Sequence, residues 1–440
     1  MNVIAKKTQL SGNISVPGSK SHTIRAGIFS LLASGPSIIR NPLESADCFS
    51  CMEAIQAFGA TVTIEPGIWR VTPPKGGLQV PARVVDVGDS GSVLYFIASI
   101  AATLPGWSVL TGNASICTRP ISALLNALVE LGAEGFTTRP GIEAPPAVIR
   151  GPITAGTIEL EGNLSQHVSG IMMAAPRITG TTVVTLRDPK ETPFLQMTCD
   201  WLETLGVPVS YDRKKLNRFE IKGPCEYQPF DQKIPSDWEA VAFPLVAAII
   251  TGSRLTITGI DCSGGQGDAA IVDILQEMGA DIVLNESTKE LHVNSLRKEN
   301  DPISLIGGTF NCAGYPDAVP ALAVAACFAQ GKTRLVDIAV CRLKETDRIS
   351  LMRQELTRLG ATAIEGPDWL EIQGKGGIGL HSAVVDSHND HRIAMALAVA
   401  GLAIPGDGVV VQNAECSDVS FPHFYEIMNT IDAGFICMND

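Results

Sequence analysis

Aromatic residues and positive charge are both scarce in this chain of 440 residues. Phe, Tyr and Trp together make up 5% of the sequence, which disfavours an aromatic-rich binding module. The formal net charge is −13, so the protein offers no general electrostatic attraction to nucleic acid or to anionic lipid. We therefore expect no nucleic-acid partner, and an anionic ligand would have to meet a local cluster of Lys and Arg.

Long hydrophobic runs are also missing. The most apolar segments, 241–250 and 394–404, are too short for a bilayer, which requires roughly 20 residues. The first residues, MNVIAKKTQLSG, lack the apolar region of a signal peptide. The eleven cysteines show no Cys/His spacing typical of zinc sites, and several, such as Cys327, lie in apolar stretches. We expect a cytoplasmic protein with reduced, buried thiols, no membrane segment and no metal.

Small and apolar residues are abundant. Hydrophobic residues account for 45% of the chain, and Gly occupies 42 positions. The length exceeds that of one ordinary core, and the hydrophobic content is sufficient for two. Tight packing of helices on sheets suits the many Gly and Ala residues. We therefore expect an α/β protein with two large domains.

One helical ending recurs along the chain, in which a leucine-rich amphipathic stretch is followed by glycine. The six copies end at Gly59, Gly132, Gly206, Gly279, Gly360 and Gly434, at intervals of 73, 74, 73, 81 and 74 residues. A second series has a polar loop, an Ala-rich apolar helix and a closing glycine of the C-cap kind. Its glycines are Gly35, Gly106, Gly180, Gly252, Gly331 and Gly406. Both series predict six units of about 73 residues, each with strands and two helices, one of them buried.

The six polar loops precede helix N-termini, where unpaired backbone N–H groups favour bound carboxylate and phosphate. The alternative is that these loops only cap the helices, because Ser, Asp and Asn are ordinary N-cap residues. Charged residues concentrate in or after these loops, at Lys20, Arg25, Arg119, Asp317, Asp390, His391 and Arg392. The segment RLKETDRI (342–349) is also densely charged, although such a run is more often a solvated helix face.

Six motifs occur in the order PGSKSHTIRA, TRPI, PDAVPALAVAACFA, RLKETDRI, NDHRIAMALA and SFPHFYE. Together they resemble the shikimate branch of the enolpyruvyl transferase family over essentially the whole chain. The resemblance implies an α/β fold of two inverse α/β-barrel domains, each of three repeats of about 73 residues, with a cleft between them. It places the crossings near Pro17 and Pro235, which gives one domain of 18–235 and another of 1–17 with 236–440.

The resemblance also implies an activity. Family members of this branch transfer the enolpyruvyl group of phosphoenolpyruvate to the 5-hydroxyl of shikimate 3-phosphate and release phosphate. They need no cofactor or metal, and they are usually monomers. Planar Arg side chains suit the binding of a carboxylate through two bonds, and several cations can neutralise the phosphate without a metal.

Residue roles follow from the same motifs. The resemblance implies three catalytic residues, Lys20, Asp317 and Glu345. It implies contacts to phosphoenolpyruvate from Lys20, Gly91, Arg119, His167, Arg348 and Arg392. It implies contacts to the acceptor from Ser21, Arg25, Ser165, Gln166, Asp317 and Lys344. His391, a tempting general base, is expected instead to orient its neighbours or to pack in its loop.

Several positions depart from the family pattern. Polar or small residues of the family are replaced at Asp89, Ser92, Tyr95, Phe194, Trp238, Glu239, Val340 and Val419. Most of these positions concern the acceptor, so another cyclic alcohol stays open as the acceptor, as does a ligand-binding protein without turnover. A UDP-N-acetylglucosamine acceptor is disfavoured because the segment ICTRP around Arg119 resembles the shikimate branch.

Overall fold

The computed structural model describes residues 1–296 and 305–438. The α-helices in this part of the chain are α1 (Lys20–Leu32), α2 (Ala46–Ala57), α3 (Gly91–Ala101), α4 (Ser122–Glu130), α5 (Ser165–Ala174), α6 (Thr192–Thr204), α7 (Trp238–Thr251), α8 (Ala270–Glu277), α9 (Val319–Phe328), α10 (Arg348–Arg358), α11 (His391–Gly401) and α12 (Phe424–Asn429). Short 3-10 helices lie at Ile116–Thr118, Ala175–Arg177, Gly267–Ala269, Pro316–Ala318, Ala339–Leu343 and Ala414–Val419.

The strands are short and evenly distributed. They are β1 (Asn2–Ala5), β2 (Ser11–Ser15), β3 (Ser37–Arg40), β4 (Thr61–Glu65), β5 (Ile68–Thr72), β6 (Val85–Asp86), β7 (Ser108–Thr111), β8 (Glu134–Thr137), β9 (Ala147–Arg150), β10 (Thr157–Leu160), β11 (Gly180–Leu186), β12 (Val209–Tyr211), β13 (Arg218–Gly223), β14 (Asp231–Lys233), β15 (Arg254–Thr258), β16 (Ile282–Asn285), β17 (Glu290–Asn294), β18 (Thr309–Asn311), β19 (Gln330–Val336), β20 (Thr362–Gly366), β21 (Trp369–Lys375), β22 (Val384–Asp386), β23 (Val409–Gln412) and β24 (Ile436–Met438).

These strands form four-stranded sheets that repeat one pattern. In each sheet one edge strand pairs in parallel with its neighbour, and the remaining pairs are antiparallel. The strand orders are β14-β3-β5-β4, β6-β7-β9-β8, β10-β11-β13-β12, β2-β15-β17-β16, β18-β19-β21-β20 and β22-β23-β1-β24. The six predicted units are thus six sheets of equivalent topology, each with two helices.

The chain divides into two compact units. The middle unit is Gly18–Pro235, and the split unit combines Met1–Pro17 with Ser236–Asp440. Each unit has its own hydrophobic core. Strands from distant parts of the sequence complete each unit: β14 pairs with β3 in the middle unit, and in the split unit β2 pairs with β15 while β1 lies between β23 and β24.

The predicted burial of the Ala-rich helices is confirmed. In the split unit every residue of α7, α9 and α11 is buried, and the three helices pack against one another. Their apolar residues occur on all sides, so no orientation would leave a polar face for solvent. The outer helices are amphipathic: α8 buries only Ile271, Val272, Ile274 and Leu275. Two kinds of helix therefore alternate along the chain.

The two glycine series differ in conformation. All six glycines of the leucine-rich endings have positive φ, between 66° at Gly434 and 104° at Gly132, as a helix C-terminus that reverses the chain requires. The prediction of C-caps for the second series was too general. Only Gly252 directly caps its helix, with φ 67°, because the other Ala-rich helices end two or more residues before their glycine.

None of the helices in residues 1–296 and 305–438 has both the length and the apolar character needed to cross a bilayer. All eleven cysteines lie in the described residues and none forms a disulfide. Six are buried, including Cys48 and Cys51, which are spaced as a Cys-x-x-Cys pair on α2. Burial raises the pKa of the Cys51 thiol, and the nearby Cys48 adds to this effect. The expectation of buried thiols fails at Cys437, which is exposed.

Candidate active site

In the split unit, the chemistry-bearing residues lie at the N-termini of α7, α9, α10 and α11. Asp237 and Asp390 cap α7 and α11 through their side chains, which accept hydrogen bonds from backbone N–H groups in the first turn. Asp317 belongs to the 3-10 turn before α9. The helix caps that the simpler hypothesis expects are therefore present. The same helix ends also bring together a set of largely buried charges.

Arg348 lies at the centre of this set. It is the first residue of α10, and its side chain is completely buried. Its guanidinium donates to Asp317 Oδ1 at 2.5 Å, to Glu345 Oε2 at 2.6 Å and to Asp390 Oδ2 at 2.8 Å. Neighbouring carboxylates, Asp390 first, raise the pKa of Arg348 despite the opposing effect of its burial. One guanidinium thus holds three carboxylates, of which Asp390 is fully buried and Asp317 and Glu345 are largely buried.

Asp317 is surrounded by cations. Lys344 Nζ lies 3.4 Å from Asp317 Oδ2, and Arg392 Nε lies 3.9 Å from Asp317 Oδ1. Burial by itself would raise the pKa of Asp317, but Lys344, Arg348 and Arg392 together hold that pKa well below its usual range. Asp317 is consequently ionised at neutral pH and serves as a hydrogen-bond acceptor.

Arg392, the second residue of α11, is buried and paired with Glu239. Its Nη2 contacts Glu239 Oε2, whereas its Nη1 has no hydrogen-bond partner among the described residues. Asp268 lies in the same neighbourhood. Burial and the negative charges of Glu239 and Asp317 raise the pKa of Asp268 well above its ordinary value.

The segment 342–349 is not the solvated helix face that its composition favoured. It joins a 3-10 helix, a turn and the first residues of α10. Arg342 bonds to Asp347 and Glu365 on the outside, while Lys344, Glu345 and Arg348 turn inward. The pattern of charges in the sequence did not distinguish these two faces because the turn interrupts helical periodicity.

A metal ion would fit poorly here. Glu345, Asp390 and His391 present potential ligand atoms within 4.8 Å of one another. Both carboxylates already accept hydrogen bonds from Arg348, whose fixed positive charge would repel a cation. His391 is the first residue of α11 and is buried.

The middle unit holds a second cluster. Lys20 begins α1, and its Nζ lies 3.3 Å from Asp47 Oδ2, with both side chains largely buried. Arg119 follows a 3-10 turn, and its Nη2 lies 3.6 Å from Asp89 Oδ1. A Cβ atom at Gly91 would stand 2.5 Å from Arg119 Nη1, so a side chain at this position would displace the end of the Arg119 side chain.

His167 and Tyr95 are packed together. Their rings meet edge to face with centroids 4.4 Å apart, and Tyr95 donates a hydrogen bond to the Pro120 carbonyl. Burial lowers the pKa of His167 to about 4, against a smaller opposing effect of the Pro120 carbonyl. The imidazole is therefore neutral at pH 7. Its Nε2 is buried without a hydrogen-bond partner in the described part of the chain.

Three of the four predicted acceptor residues of the middle unit, Ser21, Arg25 and Ser165, have partners within that unit. Ser165 donates through its hydroxyl and its backbone N–H to Glu191 Oε2, both at 3.0 Å. Arg25 donates to Thr198 Oγ1, to the Phe194 carbonyl and to the Ser21 carbonyl. Gln166 is half-buried at the start of α5, beside Ser165.

Several partners of these residues were not singled out from the sequence. Asp47 neutralises Lys20, Glu191 binds Ser165, and Asp268 lies near Glu239 and Arg392. Of these three, only Asp268 could have been found from the sequence, because the segment GGQGD precedes a helix as the other polar loops do. Asp47 and Glu191 are both buried in the middle unit, at the starts of α2 and α6, and no pattern in the sequence marked them.

Comparison with known proteins agrees with this architecture. The sequence profile described as EPSP synthase (3-phosphoshikimate 1-carboxyvinyltransferase) matches residues 4–428. A 3-phosphoshikimate 1-carboxyvinyltransferase from Ruminiclostridium cellulolyticum is 41% identical over 421 residues, which cover 96% of each chain. The chain belongs to the EPSP synthase family.

Other members of the EPSP synthase family and its structural neighbours support this placement. A 3-phosphoshikimate 1-carboxyvinyltransferase from Methanocaldococcus jannaschii is 35% identical, with 98% of each chain covered. The 2.37 Å structure of EPSP synthase from Acinetobacter baumannii has a TM-score of 0.81 at 27% identity and covers 100% of this chain and 99% of its own. The enolpyruvyl transferase NikO from Streptomyces tendae has a TM-score of 0.79 at 18% identity, covering 99% and 98%. The last similarity concerns the fold alone.

Proposed function

We propose that this protein is a 3-phosphoshikimate 1-carboxyvinyltransferase of the shikimate pathway. It transfers the enolpyruvyl group of phosphoenolpyruvate to the 5-hydroxyl of shikimate 3-phosphate and releases phosphate. The observation that carries the proposal is the convergence of Asp317, Lys344, Arg348 and Arg392 in one buried cluster of an EPSP synthase family chain. The two compact units are proposed to be the two domains of the family, and the cleft expected between them stays a prediction.

The reaction needs both a base-like and an acid-like function. The acceptor hydroxyl loses its proton as its oxygen forms a bond to the central carbon of phosphoenolpyruvate, while the methylene carbon takes a proton. The proton is then removed as the bond to phosphate breaks, which restores the double bond. The net reaction leaves the hydroxyl proton with the released phosphate. Asp317, held ionised by three cations, is proposed to accept the hydrogen bond of the attacking hydroxyl. Glu345 and Lys20 are proposed to handle the proton at the methylene carbon.

Substrate charges are proposed to meet the two clusters separately. Arg348 and Arg392 bind the carboxylate of phosphoenolpyruvate, and Nη1 of Arg392 is a buried donor suited to it. Lys20, Arg119 and the backbone of Gly91 bind its phosphate. Lys344 binds the acceptor, together with Ser21, Arg25, Ser165 and Gln166.

His167 is proposed to contact phosphoenolpyruvate as a neutral group. Its lowered pKa means that it adds no positive charge at pH 7, so the contact is a hydrogen bond through Nε2 rather than an ion pair. An arginine at position 95 would place a positive charge beside this imidazole. Tyr95 places an uncharged ring there instead.

A second acceptor has a specific observation in its favour. The Ser165 hydroxyl already donates its proton to Glu191, so it has no further proton to donate to a phosphate group in this arrangement. A cyclic alcohol that lacks the 3-phosphate would not need that donor. The enolpyruvyl transfer chemistry would be the same, because the cluster around Arg348 is unaffected.

The deciding assay is phosphate release from phosphoenolpyruvate on addition of shikimate 3-phosphate. We expect turnover with wild type and its loss in Asp317→Asn, with Asp273→Asn, an exposed carboxylate on α8, as the matched control that retains activity. Phosphate release that requires a different cyclic alcohol would support the second acceptor. Binding of phosphoenolpyruvate without phosphate release by any acceptor would contradict the proposal. We also propose that the protein is a cytoplasmic monomer. Light scattering during gel filtration would test the oligomeric state.

A further inference from the structure

We propose that Glu239 is an internal competitor for Arg392 that sets the affinity of this protein for phosphoenolpyruvate. Its carboxylate occupies one nitrogen of the guanidinium to which the proposed function assigns the substrate carboxylate. Binding of the phosphoenolpyruvate carboxylate is therefore weakened as long as Glu239 stays paired with Arg392. This inference rests on the proposed function, and it concerns a residue that departs from the small side chains usual at this position.

The geometry places the two groups face to face. Glu239 lies in the first turn of α7 and Arg392 in the first turn of α11, and these two buried helices pack against each other. Glu239 Oε2 contacts Arg392 Nη2, and the exposed fractions of the two side chains are 6% and 1%. Each paired-donor edge of a guanidinium includes Nη2, which carries one hydrogen for each edge, so a carboxylate bound through two bonds would use the other hydrogen of Nη2 and lie directly beside the Glu239 carboxylate.

The local charges make simultaneous binding unfavourable. The groups around Arg392 include Glu239, Asp317 and Asp237 as carboxylates, with Arg348 as the other cation. Arg348 itself is already shared by three carboxylates. A further substrate carboxylate would place an additional negative charge in a buried site where cations do not outnumber anions. The unfavourable charge is removed if Glu239 moves away.

A purely structural role for Glu239 can be distinguished from competition for Arg392. An acidic residue in the first turn of a helix is favourable for the helix dipole, and the pair fills buried space. The helix cap does not depend on the Glu239 side chain, because Asp237 accepts from the backbone N–H of residue 239. Glu239→Gln keeps the side-chain size and this cap while it removes the negative charge. It is therefore the substitution of choice.

The experiment measures the Kd of phosphoenolpyruvate by calorimetry, and its KM where turnover is present, for wild type and Glu239→Gln. We expect the Kd to fall by about fivefold or more in the variant, with the KM of shikimate 3-phosphate unchanged. Glu277→Gln, exposed at the end of α8, is the matched control and should leave both values unchanged. Inorganic phosphate, which lacks a carboxylate, is the control ligand and should bind both proteins equally.

The outcomes separate the inference from the proposed function. Absence of phosphate release by wild type would overturn the function, while the calorimetric Kd would still test Glu239. An unchanged or weaker affinity for phosphoenolpyruvate in folded Glu239→Gln would overturn the inference. If that variant does not fold, Glu239→Asp, which shortens the side chain and keeps its charge, replaces it. Tighter binding of phosphoenolpyruvate by Glu239→Asp would support competition, and equal or weaker binding would overturn it.

Discussion

Replacing Arg348 with glutamine should destabilise the split unit far more than its position on an otherwise ordinary outer helix indicates. The guanidinium is the common partner of Asp317, Glu345 and Asp390, and it is completely buried. Arg348→Gln keeps hydrogen-bonding capacity but removes the positive charge. Three carboxylates then share a site from which water is largely excluded, and they repel one another.

The magnitude follows from the cost of breaking a buried ion pair, which is about 3–5 kcal/mol. Lys344 and Arg392 still flank Asp317, so the cost of one broken pair applies rather than that of three. We expect the free energy of unfolding at pH 7.5 to fall by about 4 kcal/mol. Arg353→Gln is the matched control on the same helix. Its side chain is 38% exposed and, among residues 1–296 and 305–438, pairs only with Glu365, so the expected loss is about 1 kcal/mol or less.

The assay is urea unfolding followed by fluorescence and circular dichroism at several pH values. Cations lower the pKa of Asp317 in the folded state, so the stability that this group contributes is present above its ordinary value of 3.8 and is lost as pH falls below it. The difference between wild type and Arg348→Gln should therefore persist down to about pH 4 and shrink as the pH falls below the ordinary value of 3.8. Equal losses for Arg348→Gln and Arg353→Gln, or a difference that does not depend on pH, would refute the reasoning.

Three further predictions concern single groups. Between pH 6.5 and pH 4, the free energy of unfolding measured in urea should fall by about 3 kcal/mol less in His167→Gln than in wild type. The reason is that the unfolded imidazole of wild type binds a proton in this range, whereas the folded imidazole, with its pKa of about 4, does not. Lys20→Met should lower kcat/KM for phosphoenolpyruvate by about 100-fold or more, whereas Lys222→Met, exposed in the same unit, should not. A thiol reagent should modify exposed Cys437 in the native protein, while Cys327, whose pKa burial raises to about 12, should react only after unfolding; native labelling of Cys327 would contradict this.

Much of the fold was predictable from the sequence, because it repeats. Glycines at nearly constant spacing mark helix ends with positive φ, and this requirement is local to a few residues. Burial of α7, α9 and α11 was predictable for a similar reason, since helices without a polar face have no alternative. The charged loops at the helix N-termini were also visible, because their residue types stand out against Ala-rich surroundings.

Only the tertiary structure decided which charges meet. Arg392 and Glu239 are 153 residues apart, and Arg25 and Thr198 are 173 apart, so no local pattern connects them. The entry of β1 between β23 and β24 likewise depends on the path of the whole chain. The pKa values of Asp317, Asp268 and His167 follow from burial and from these distant neighbours, and therefore required the folded chain. The sequence alone determined the repeats and the helix ends because these depend on local conformation, whereas ion pairing depends on long-range packing.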